Sequence, residues 1–66
     1  MTGTVKSYNP STRYGFITRD GVDYRFHQQD WGLRLPPARG LEVSFTTELT
    51  EKGLRATEIK EKEDGK

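Results

Sequence analysis

The chain has 66 residues, a formal net charge of +1 and no cysteine. That is room for one small domain without disulfide, thiolate nucleophile or cysteine-based zinc site, and the near-neutral charge does not by itself select a polyanionic partner. No apolar run approaches the ~20 residues of a membrane span and no hydrophobic leader opens the chain, so a monomer working in the cytoplasm, off the membrane and without a cofactor, is expected.

Gly3 to Asn9 reads as a first strand, and Asn9-Pro10-Ser11-Thr12 as the loop that ends it, because proline cannot donate to a continuing ladder. Tyr14 to Thr18 and Tyr24 to His27 read as neighbouring strands, joined through Asp20-Gly21, a pair that suits a turn needing positive φ. With a period of two, Tyr14, Phe16 and Thr18 share one face and Gly15 and Ile17 the other; in the partner strand Arg25 and His27 oppose Tyr24 and Phe26. If Ile17, Tyr24 and Phe26 are core, then Tyr14, Phe16, Arg25 and His27 form an exposed platform of rings and cations, a surface on which something else can stack.

Gln28 to Trp31 has neither period and is expected to be a short helical turn that returns Trp31 to the core. Gly32 to Gly40, with Pro36-Pro37 inside it, reads as a loop. Leu41, Val43 and Phe45 then alternate with Glu42, Ser44 and Thr46, which marks a half-buried strand running to about Leu49. Thr50 to Gly53 is the next turn, and Leu54 to Lys60 a fifth strand with Thr57 and Ile59 inward. Residues 61–66 are charged or glycine and are expected to be a disordered tail on a domain of residues 1–60.

Five short strands without a helix of useful length predict an all-β protein, a small antiparallel barrel that closes its own edges. The expected core is Val5, Ile17, Val22, Tyr24, Phe26, Trp31, Leu41, Val43, Phe45, Leu54 and Ile59. Up to Gly40 the bases Lys6, Arg13, Arg19, Arg25, Arg34 and Arg39 outnumber Asp20, Asp23 and Asp30, and beyond it acids prevail. The basic bias thus falls on the half that carries the aromatic hairpin, a pattern open to a nucleic-acid footprint or to ordinary solvated charge.

These residues carry a resemblance. Gly3-Thr4-Val5-Lys6, Tyr8-Asn9, Tyr14-Gly15-Phe16-Ile17-Thr18, Asp20-Gly21, Asp23, His27, Gly40, Val43-Ser44-Phe45, Lys52-Gly53 and Ala56 resemble the bacterial cold-shock proteins in order and spacing, over nearly the whole chain apart from the tail. The resemblance implies a five-stranded antiparallel OB-fold barrel that binds single-stranded RNA or DNA through two motifs on adjacent strands. An RNA recognition motif shares the Gly-Phe pattern but needs two helices that this sequence does not supply.

The first motif usually reads K-G-F-G-F-I and here is Thr12 to Ile17; it keeps the rings Tyr14 and Phe16, with Thr12 and Arg13 at the lysine and first glycine. The second, usually V-F-V-H-F, is Tyr24 to Gln28; it keeps His27 and has Arg25 and Gln28 in place of rings. The first strand, usually K-W-F-N, is Lys6-Ser7-Tyr8-Asn9, so Ser7 stands at a stacking tryptophan, and the loop from Trp31 to Gly40 is short and lacks an aromatic.

The resemblance therefore implies a nucleic-acid site in which Tyr8, Tyr14, Phe16 and His27 meet bases, Arg25 and Gln28 take positions usually held by rings, and Lys6, Arg13, Lys52 and Arg55 lie where phosphate contacts fall. Tyr8 is open between stacking on a base and packing on the core, and Trp31 reads as packing. A guanidinium is planar, stacks and pairs with phosphate, so binding is expected to be weaker and more salt-sensitive than a typical member's, in the service of an RNA chaperone or cold-shock role. The alternative is a degenerate barrel that meets an acidic protein partner. An enzyme is not expected, nor a small-molecule substrate: the lone His27 can neither complete a metal site nor serve Ser7, Ser11 or Ser44 as part of a triad.

Overall fold

Asp20 and Gly21 both adopt positive φ, 53° and 80°, as Asp-Gly does in the two-residue turn whose twist matches its flanking strands. This turn joins β2 (Tyr14–Arg19) to β3 (Val22–His27), paired antiparallel from Tyr14↔His27 to Arg19↔Val22. Only Asp20 and Gly21 lie between them, so the hairpin is tighter and its strands longer than the sequence suggested. The structure is a computed structural model and describes residues 1–62. Before the hairpin comes β1 (Thr2–Asn9), and after it a 3₁₀ turn (Gln28–Asp30), β4 (Glu42–Thr50) and β5 (Gly53–Glu61). β5 thus takes in Glu61, while residues 63–66 of the expected tail lie outside the described residues.

The strands close into a barrel in the order β1-β2-β3-β5-β4, with β4 returning to β1 through Gly3↔Val43. The expected all-β, five-stranded barrel is what forms, with one refinement. Directions cannot alternate all the way round an odd ring, so one seam must be parallel; it falls between β3 and β5, at Arg25↔Arg55. The loop before β4 is tied in by backbone bonds between Val5 and both Gly40 and Leu41, each within 2.9 Å.

Val5, Ile17, Phe26, Val43, Phe45, Ala56 and Ile59 are buried and Tyr24 nearly so; each large apolar side chain contributes roughly 1.5–3 kcal/mol on burial. Trp31 and Leu41 are partly buried and pack against this core. The expectation fails at Val22 and Leu54, both exposed. Each points to the inner side, but Val22 abuts the Asp20–Gly21 turn, and Leu54 sits near the end of the β4–β5 hairpin opposite a still more exposed Leu49. Alternation specifies the side of a strand, not the distance from its middle.

β5 departs from strict alternation. Ser44 pairs with Lys60 and Thr46 with Thr57, so β5 carries one residue more than β4 across this stretch, and Glu58 takes it up at φ 51°. The bulge turns both Ala56 and Ile59 inward, whereas Thr57, expected inside, is half-exposed with its hydroxyl 2.7 Å from that of Thr46. A second bulge, between Val5 and Ser7 on β1, leaves Lys6 and Ser7 both exposed.

Candidate nucleic-acid interface

The platform depends first on a glycine beneath it. Gly15 lies on the inner side of β2, where an added Cβ would come within 2.6 Å of both the Phe26 ring and the Ser7 carbonyl oxygen. Its absence lets Phe26 fill the core under β2, while the neighbours on either side turn outward: Tyr14 is 42% exposed and Phe16 40%. Across the hairpin Tyr14 faces His27 and Phe16 faces Arg25. The Tyr14 and His27 rings meet edge to face at 4.8 Å, and the Arg25 guanidinium carbon stands 5.1 Å from the Tyr14 centroid. Rings and cation support each other.

His27 is held from a second direction. Its Nδ1 accepts a 3.0 Å bond from the backbone N–H of Gln29 and so caps the 3₁₀ turn, which orients the other ring nitrogen away from the backbone. An open groove of about 540 Å³ runs beside this cluster. Tyr14, Arg25 and His27 form one wall, and Thr50, Glu51, Lys52 and Arg55 of the β4–β5 hairpin form the other. Loops at this hairpin and the faces of the second and third strands are the ligand surface of OB-fold barrels.

The expected residues therefore do not all converge. Tyr14, Arg25, His27, Lys52 and Arg55 line the groove, with Phe16 alongside through its pairing with Arg25. Tyr8 is half-buried and stacks on Phe26 at 6.1 Å and 13°, so one of its faces packs on the core. Trp31 likewise packs on Phe26 at 5.5 Å, its indole N–H donating to the Leu35 carbonyl. Gln28 is exposed in the 3₁₀ turn, its backbone N–H bonded to the Arg13 carbonyl, and it does not line the groove. Arg13 adopts φ 66° in the turn before β2; the motif it stands in usually has glycine there, the residue that accepts left-handed backbone without strain.

Lys6 is paired with Asp23 at 2.8 Å across the exposed side of β1 to β3. The Lys6 hydrogen bond is the main reason the Asp23 carboxyl titrates below its ordinary range. Arg55 is paired with Asp30, also at 2.8 Å, and that bond raises its already high pKa. Sequence reasoning missed Gln29, Thr50 and Glu51 as groove residues and Asp30 as the partner of Arg55. The turn at Thr50–Gly53 is plain in the sequence; that it folds across from β3 follows only from barrel closure.

A small closed barrel that sets Tyr14, His27 and Arg25, an arginine with no carboxylate partner among the described residues, on one groove with Phe16 alongside has the architecture of the oligonucleotide-binding class. The chain belongs to the cold-shock domain family: the family model described as the 'Cold-shock' DNA-binding domain matches residues 1–62. That family is a nucleic-acid-binding fold and not an enzymatic one. Among solved structures, the chain is similar to the Drosophila Unr fragment named CSD456, with a TM-score of 0.73 and 23% identity over 97% of this chain. It spans 27% of that chain, so the likeness is one of fold, for about a quarter of a longer protein. No curated protein matches the sequence. Among the described residues no helix is long and apolar enough to cross a membrane, and no acidic, histidine or cysteine group is arranged to hold a metal.

Proposed function

We propose that this cold-shock domain binds single-stranded RNA or DNA without turning it over, by stacking bases on Phe16, Tyr14 and His27 and holding the backbone with Arg25, Lys52 and Arg55. The observation that carries the reading is the exposure of Tyr14 and Phe16 on the strand that forms the groove wall. Leaving two large rings partly in water forgoes burial, and a base-stacking surface accounts for it. Lys6 and Arg13 extend the cationic rim along β1 and the turn before β2. Bases held apart on such a surface are withheld from partner strands, which is how the domain would act as an RNA chaperone in a cytoplasmic stress response.

Arg25 changes the character of the binding. It contributes a planar cation where the family usually has a ring, so part of the affinity moves from stacking to charge. The test is a heteronuclear NMR titration with a pyrimidine-rich single strand. Large shifts at Tyr14, Phe16, Arg25, His27, Arg55 and the 50–53 turn are expected; negligible shifts there would leave a barrel whose surface serves a protein partner instead.

A further inference from the structure

The Arg55–Asp30 pair stands in an unusual place for an acid. Arg25 and Arg55 are register partners in the parallel seam, so their side chains leave the barrel on the same side, and like charges in such a position repel. Arg25 is drawn off over the Tyr14 ring. Arg55 is held by the Asp30 carboxylate at 2.8 Å, with side-chain exposures of 39% and 21%. Asp30 cannot follow the guanidinium far. It ends the 3₁₀ turn, and the next two residues bind that turn to β5, through the Trp31↔Ile59 bridge and the 2.7 Å bond from the Gly32 N–H to the Ile59 carbonyl.

One terminal nitrogen of Arg55 is engaged by Asp30. A guanidinium carries five N–H donors in a fixed plane, so the rest of the fork remains for a ligand in the groove that Arg55 lines. A fork pinned at one corner suits a phosphodiester, which accepts two parallel N–H bonds, better than a freely moving lysine would. Resting on the nucleic-acid reading above, we propose that Arg25 and Arg55 form a backbone-phosphate subsite at the β3–β5 seam and that Asp30 is its positioning residue, an acid that favours polyanion binding by fixing Arg55.

The sign of the effect separates this from simple charge. Removing an acid from beside a groove that receives a polyanion should tighten binding if only net charge matters. If Asp30 positions Arg55, Asp30→Ala should instead weaken binding of a labelled short oligouridine, by about three- to tenfold, the size of ordering one long side chain in advance. Asp30→Asn keeps an acceptor for the fork and should recover at least threefold over Asp30→Ala. In an Arg55→Ala background the Asp30→Ala change should have no further weakening effect, because the group it positions is gone. Circular dichroism melts accompany each variant, and the Arg55→Ala background keeps the comparison decisive if Asp30→Ala is less stable. Binding by Asp30→Ala as tight as or tighter than the parent chain overturns the subsite while the interface stands; absence of binding by the parent chain itself overturns both.

Discussion

Salt dependence is the sharpest measure of how far Arg25 has shifted this interface toward charge. Of the cations proposed to meet the nucleic-acid backbone, Lys6 and Arg55 are engaged by Asp23 and Asp30, whereas Arg13, Arg25 and Lys52 have no carboxylate partner among the described residues. If Arg55 donates to a phosphate while Asp30 still offsets its charge, and those three each neutralise one phosphate of a single strand, log affinity should fall against log salt with a slope of about −2, from roughly −0.7 per contact. Raising salt from about 50 to about 200 mM should then weaken binding about 20-fold. Arg25→Ala should flatten the slope to about −1.4, and it should also lower affinity at the high-salt limit, because the guanidinium that covers Tyr14 is lost together with its charge. Arg25→Lys separates the two effects, keeping the slope and losing the planar contact. Fluorescence anisotropy of a labelled oligouridine at four or more salt concentrations reads both quantities. Tight binding with a slope flatter than about −1, or an unchanged slope in Arg25→Ala, would refute the assignment of Arg25 as a phosphate-contacting cation.

Phe16→Ala should weaken oligonucleotide binding by the ~1–3 kcal/mol of one base stack and leave the urea midpoint within about 0.5 kcal/mol of the parent, as expected of a surface side chain; calorimetry and denaturation read the two. Gly15→Ala should do the opposite. Its Cβ meets Phe26 and the Ser7 carbonyl at 2.6 Å, so the variant should lose about 1–3 kcal/mol of stability to overpacking, seen in urea denaturation. Arg13→Gly should divide the two properties, stabilising the fold by up to about 1 kcal/mol as left-handed strain is relieved, while flattening the salt slope by about 0.7. For Asp23, whose carboxyl is held low by Lys6, the stabilising contribution is present above the ordinary carboxylate range and is lost as pH falls through the lowered value. Lys6→Met should move the Asp23 titration back up, read by carboxyl ¹³C shifts against pH; an unmoved curve would mean that Lys6 does not hold it.

The hairpin and its turn were legible because local chemistry dictates them. Asp20-Gly21 needs no distant partner to adopt positive φ, and alternation alone divides Phe16 from Ile17. The parity of an odd ring was also available in principle, since five strands in closure require one parallel seam. What could not be read was depth and insertion. Val22 and Leu54 have the correct side and lie too near a turn to be covered, and the extra residue taken up at Glu58 shifts the inward positions to Ala56 and Ile59. The second wall of the groove was hidden for a related reason: Thr50 and Glu51 come to the platform, and Arg55 comes to Asp30, through the pairing of strands distant in sequence. Tyr8 shows the limit from the other side, a residue at a motif position that the bulge at Lys6 and the neighbouring Phe26 ring draw into packing.

The parallel seam has a mechanical side. Its ladder register rests on the one position Arg25↔Arg55, while β2 and β3 are zipped together along the whole of both strands. A barrel strained by heat or denaturant should part there first, because it is the joint with the least backbone pairing to lose. The same two residues are the ones a bound strand of phosphates would span. A ligand across them acts as a clasp on the weakest joint, so amides of β3 and β5 should exchange more slowly when the groove is filled, while β1, which contributes nothing to the groove lining, should gain least.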